Sequence, residues 1–194
     1  MPRTELPTLV ELEAEANRRG LLLRLQVSRP AGLAWALRVG VARQQPGARQ
    51  QPCPAVGQPG SLVLLGELKG WALPTADGLR LDTMRVQGER TAAVGPLIWA
   101  ATWAWALEAT PCRRATILAI RDNEPQHRRL VRYFKRLGFI PLRELGSGPF
   151  DLAPRLVWGG SGLLMQGEVI EGLARSARRL EGAALGPQSS TSMA

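Results

Sequence analysis

The most apolar stretch of this 194-residue chain, Leu97 to Leu107, sets the tightest limit on its fold. It is shorter than the roughly 18–20 apolar residues that span a bilayer, and Glu108 ends it. Pro96 stands just before it, at a position where the first turn of a helix has no use for the N–H that proline lacks. The run therefore reads as a helix from Pro96 to about Ala109, packed inside the protein against a sheet. Trp99 and Trp103, one turn apart, belong to that packing. Trp105 points elsewhere and would mark a partner surface if it were exposed.

Length and composition bound the rest. A chain of 194 residues fits one domain with a core of its own, and 45% hydrophobic with 21% charged residues argues against wholesale disorder. The N-terminal MPRTELPTLVELEAEANRRG is charged throughout and lacks the apolar centre of a secretory signal, so a cytoplasmic, membrane-free protein is expected. Cys53 and Cys112 are too isolated for a disulfide framework or a zinc site, and His127 is the only histidine, so no metal is expected. The net charge of +9 comes almost wholly from arginine, with Lys69 and Lys135 the only lysines. These arginines are scattered, and the usage matches the bias of a GC-rich genome. The charge is therefore assigned to composition plus a small anionic ligand, with nucleic acid as the less favoured partner.

Along the chain, Thr8 and Glu11 have capping-box spacing and open a helix over 8–19 that Gly20 stops. Strands at 21–28 and 33–42 flank Arg-Pro-Ala-Gly as a hairpin, and the Pro/Gln-rich 43–60 segment reads as a flexible loop. Strands follow at 61–73, bent near Gly70, and at 79–86. After the 96–109 helix come a strand at 113–122, a helix at 124–138 and a strand from Phe139. The 154–165 region is apolar and broken by glycine, 167–182 reads as an amphipathic helix with Arg175, Arg178 and Arg179 on its polar side, and 184–194 as a disordered tail. Strands first and alternation later indicate a mixed α/β sheet.

Two segments carry more specific information. LRLDTMRV, QGERTAAVG and PLIWAATWAWALEA make a strand, a small-residue loop and a helix. Such a loop aims free backbone N–H groups at one point, and the helix dipole adds partial positive charge, which suits a pyrophosphate. Downstream, ATILAIRD is followed by HRRLVRYFKRLGF, where Gly138 fits a left-handed helix terminator.

Together these segments resemble the GCN5-related N-acetyltransferase superfamily, whose strand-to-helix junction reads Gln/Arg-x-x-Gly-x-Gly/Ala and whose later helix ends Leu-Tyr-x-x-x-Gly-Phe. Arg90 to Gly95 fits the first pattern with Ala93 in place of its first glycine, and Gly138-Phe139 closes the second. Phe134 stands at the family's tyrosine position, Tyr133 one residue before it, and His127 at the family's asparagine position.

The resemblance implies a mixed, mostly antiparallel sheet flanked by helices. The acetyltransferase domain would cover 21–160, with a 1–20 helix packed on it and a 161–183 strand/helix extension. It implies transfer of an acetyl group from acetyl-CoA to an amine acceptor by direct attack, the thioester carbonyl being polarised by a backbone N–H near Val86. Coenzyme contacts would come from Met84, Val86, Arg90, Thr91, Ala92, Ala93, Val94, Gly95, His127, Arg128 and Phe134. Asp82 or Glu67 would take the amine proton, and Tyr133 is the remaining phenol that could return one to the leaving thiolate. By residue type alone, His127 and the Arg128, Arg132, Lys135, Arg136 stripe read as a solvated helix face, with Arg128 the exception nearest a coenzyme phosphate. The alternative is a non-catalytic module of the same fold that binds a coenzyme or a protein.

Overall fold

The computed structural model describes residues 6–44, 62–88, 91–146, 148, 151 and 157–183. Cys53, Arg90, positions 45–60 of the expected loop and the 184–194 tail lie outside the described residues.

Helix α1 (Leu9–Arg18) starts as its spacing requires: the Glu11 N–H donates to the Thr8 hydroxyl and the Glu11 carboxylate accepts from the Thr8 N–H. Leu12 and Ala16 bury its inner face, and the Leu9 N–H donates to the Glu108 carboxylate at 2.9 Å, tying α1 to the end of the apolar helix.

Seven strands form one sheet in the order β1-β2-β3-β4-β5-β7-β6. They are β1 (Leu22–Ser28), β2 (Trp35–Gln44), β3 (Leu62–Ala72), β4 (Leu79–Val86), β5 (Arg114–Ile120), β6 (Ile140–Leu145) and β7 (Gly162–Glu168). Among these strands only β4 and β5 pair in parallel; the others are antiparallel. The β1–β2 hairpin turns over a short 3-10 helix, Pro30–Gly32, and β2 runs on through Arg43 and Gln44, which the sequence assigns to the loop. Opposite Gly70 the β3–β4 register shifts by one residue, with the extra residue in β4 rather than in β3. The glycine-broken apolar region carries β7, which the 161–183 segment inserts between β5 and β6, so that segment lies within the sheet.

Helix α2 (Val94–Ala109) begins two residues before Pro96, with Ala93 as N-cap. Proline is accommodated because it still falls in the first turn, where no intrahelical acceptor awaits its nitrogen. Helix α3 (Glu124–Leu137) is capped by Asn123, whose side chain accepts from the Gln126 N–H at 2.9 Å. It ends at Gly138, with φ +102°, a conformation that side chains with a Cβ rarely adopt. Helix α4 (Val169–Gly182) follows β7 directly.

The four helices described above all feed one apolar core on one face of the sheet. Trp99 and Trp103 are 1% exposed and stack with centroids 5.5 Å apart, while Phe139 meets both. Trp105 is buried too, so it offers no partner surface. A Cβ on Gly172 would lie 2.6 Å from the Trp103 ring, so α4 can approach α2 closely only at a glycine. On the opposite face, Leu118, Leu145 and Leu164 pack with Ile120 and Trp158, while nearer β1 that face carries Arg38, Glu67 and Lys69. No helix among the described residues is long and apolar enough to cross a membrane.

Candidate functional site

The site is built on an interrupted strand pairing. β4 and β5 are in register for only three pairs, Leu79 with Ala115, Arg80 with Thr116 and Leu81 with Ile117. Beyond Leu81 they part. On its other side β4 stays paired with β3 to Val86. The Gln87 N–H donates to the Leu65 carbonyl at 2.8 Å, which makes Gly66 and Val86 a non-hydrogen-bonded antiparallel pair. The N–H and C=O groups of Val86 and, two residues back, Met84 therefore face away from β3, toward the gap that β5 leaves.

That gap opens as a cleft of about 370 Å³, lined by Asp82 to Val86, by Ile117, Leu118 and Ile120 of β5, and by Leu130, Tyr133 and Phe134 of α3. Asp82 is the extra residue of the β4 bulge, since Lys69 pairs with Thr83 and Gly70 with Leu81. A bulge re-aims a side chain, and the exposed Asp82 carboxylate forms no ion pair among the described residues.

Helix α2 delivers its N-terminus to the same region. A Cβ on Gly95 would sit 3.5 Å from the Met84 methyl, so the helix start adjoins the middle of β4. Ala93 contributes no side-chain cap. The Val94 N–H turns back to the Thr91 carbonyl at 2.9 Å and the Leu97 N–H to Ala93 at 3.0 Å, while the Gly95 N–H finds no acceptor among the described residues. Thr91, Ala93 and Gly95 are half-buried and Ala92 is exposed, so small side chains leave this backbone open.

From α3, Tyr133 brings the hydroxyl. It accepts from the Trp99 indole N–H at 2.8 Å and reaches the Met84 sulfur at 3.7 Å. Burial raises its pKa above the ordinary value of 10.0, and the Trp99 hydrogen bond opposes this only in part, so the phenol stays protonated at neutral pH. Phe134 is buried with Tyr133 and Phe139 against it and has no proton to give.

Other candidates stand apart from the cleft. Glu67 is held by Arg38 and Lys69 on the open sheet face, and is not part of the cleft lining. Its hydrogen bond from Arg38, then that from Lys69, lowers its pKa, which makes it a poor proton acceptor.

His127 is 6% exposed rather than solvated. Its Nδ1 lies 3.3 Å from the Ile120 carbonyl and its Nε2 3.5 Å from an Arg121 nitrogen, and a ring protonated on Nδ1 serves both contacts. It packs against the end of β5 and is not part of the cleft lining. Arg128 is exposed and pairs with Glu124 one turn before it, outside the cleft lining.

Sequence reasoning missed Trp99 as the residue that positions Tyr133, and Leu130, Ile117 and Ile120 as cleft walls. A tryptophan in an apolar helix signals core packing, and only its indole N–H, which needs an acceptor when buried, hinted at more. Among the described residues no group of three or more His, Cys, Asp or Glu is placed to hold a metal. No family model matches the chain, and no curated protein matches it in sequence.

Proposed function

We propose that the chain is an acetyl-CoA-dependent N-acetyltransferase of the GCN5-related type, acting on an amine acceptor by direct attack. The parting of β4 from β5 carries this reading, because it leaves the Met84 and Val86 N–H groups unspent over a cleft. The donor set fits the coenzyme: the Gly95 N–H at a helix start suits a pyrophosphate, and the N–H groups of β4 suit a carbonyl oxygen. When bound, acetyl-CoA supplies an activated acetyl thioester.

The chain's own groups then divide the work. The Gly95 N–H, with those of Thr91 to Ala93, holds the diphosphate. Val86 and Met84 orient the carbonyl and favour the charge that develops on it. Asp82, at the cleft and without a cationic partner among the described residues, receives the amine proton. As the C–S bond of the thioester breaks, Tyr133, protonated and within reach of Met84, gives its proton to the departing coenzyme thiolate.

A second reading, a non-catalytic module, is favoured by one observation: the Tyr133 hydroxyl is already engaged by Trp99 and Met84.

Isothermal titration with acetyl-CoA tests the site. Micromolar binding by the wild type, weakened at least about tenfold in Gly95→Trp without loss of thermal stability, is the expected result. No binding by folded wild-type protein overturns the proposal. Binding without turnover across a broad amine panel replaces it with the second reading.

A further inference from the structure

A separate feature lies between the end of α3 and the outer side of α4. Arg136, Arg175, Arg178 and Arg179 line a surface groove of about 280 Å³, and among the described residues no acidic one joins them in the lining. Two of these arginines have evident tasks. Arg179 donates to the Arg136 carbonyl at 2.7 Å, satisfying the C-terminal end of α3, and Arg175 lies over Gly138 and reaches Glu171 at 3.5 Å. Arg136 and Arg178 form no ion pair among the described residues, nor do Arg129, Arg132 and Lys135, which continue the exposed basic row back along α3. Outside the described residues the sequence has only Glu5 and Glu89 as acidic side chains. Four guanidinium groups converging on one groove without a carboxylate in its lining repel one another, and an anion relieves that repulsion.

We propose that this groove binds the phosphate backbone of a nucleic acid duplex. Guanidinium forks match phosphate oxygens in a two-point geometry that lysine cannot reproduce. The groove is open, and the charge extends from Arg136 back to Arg129 along α3 for about two turns, a length of about 10 Å, which suits a repeating anion better than a single ion. The helix end at its base presents carbonyls, not N–H groups, so it makes no enclosed cradle for one phosphate. Among the described residues no apolar or aromatic side chain lines it. That removes both the anchor on which a protein interface centres and the stacking platform on which single strands rest.

The test is fluorescence anisotropy of the full chain with a short labelled DNA duplex of mixed sequence, between about 50 and about 200 mM salt. Arg136→Gln/Arg178→Gln is compared with Arg24→Gln/Arg29→Gln, which removes equal charge at the β1 edge, on the other side of the sheet order from β6 and β7. Thermal unfolding checks that both remain folded. The groove variant is expected to bind at least about tenfold more weakly at low salt and to lower the salt slope by about 1.8, while the control loses less than about threefold. Equal losses in the two variants overturn the groove, since net charge alone then accounts for binding. Absence of duplex binding by the wild type at low salt overturns it as well. Displacement by polyglutamate as effective as by unlabelled duplex assigns the groove to an acidic protein instead.

Discussion

β4 has two neighbours and treats them differently. Toward β3 it is paired from Leu79 to Val86, with one bulge; toward β5 it is paired for three residues and then parts. From Asp82 to Val86 the strand is thus held on one side and an open edge on the other. The difference separates duties: hydrogen bonds to β3 fix where the backbone stands, so the groups facing β5 can be left for a ligand at little cost in order. An ordinary outer edge such as β1 also has free backbone groups, but it lacks a helix start on one side and a protonated tyrosine on the other.

Four substitutions would break or sharpen that contrast. Trp99→Ala should have the largest effect, removing a fully buried ring and the donor to Tyr133. A loss of about 3–5 kcal/mol in denaturant unfolding is expected, and a loss under about 1 kcal/mol would show that the aromatic core does not hold the cleft's wall. Val86→Pro deletes an N–H that β3 does not use. Turnover should fall by about 10²–10³ if that N–H serves the reacting carbonyl, with thermal stability nearly unchanged; full activity would reject its role.

Arg85→Pro is the mirror experiment, because the Arg85 N–H belongs to the β3 side, opposite Glu67. It should cost about 1–3 kcal/mol of stability by orphaning a ladder acceptor, and a cost no greater than that of Val86→Pro would erase the distinction between the two sides.

Glu67→Gln should have the smallest effect, under about 1 kcal/mol at neutral pH, with turnover intact. Because Arg38 and Lys69 lower the carboxyl's pKa when folded, the stabilisation is present above its ordinary value of 4.5. It is lost as pH falls through the folded value. Unfolding curves of wild type and variant should therefore converge in acid; divergence there would contradict the ion pair.

Local signals in the sequence were the legible ones. The Thr8–Glu11 box and the Gly138 terminator each depend on a few adjacent residues, and each appears where the pattern places it. The start of α2 moved by two residues because small side chains at 93–95 allow helix without demanding it. What depended on distant partners was hidden. His127 sits in a basic, polar run, and only the end of β5 above it makes the site a buried one. Trp105 looks directed away from its neighbours along α2, yet a helix so uniformly apolar is covered on every side. Tyr133 displays neither Trp99 nor Met84 in its own sequence neighbourhood.

The insertion of β7 between β5 and β6 also bears on the order in which the protein can be made. A ribosome delivers β5 and then β6, but these two cannot complete the sheet until β7, their shared neighbour, has followed. Until then the apolar β5, from Arg114 to Ile120, presents a free edge, the kind of surface on which nascent chains pair with the wrong partner. Closure of the sheet waits for the last of its strands in chain order, and a ribosome that stalls before Gly162 holds a chain in which β5 is still unguarded.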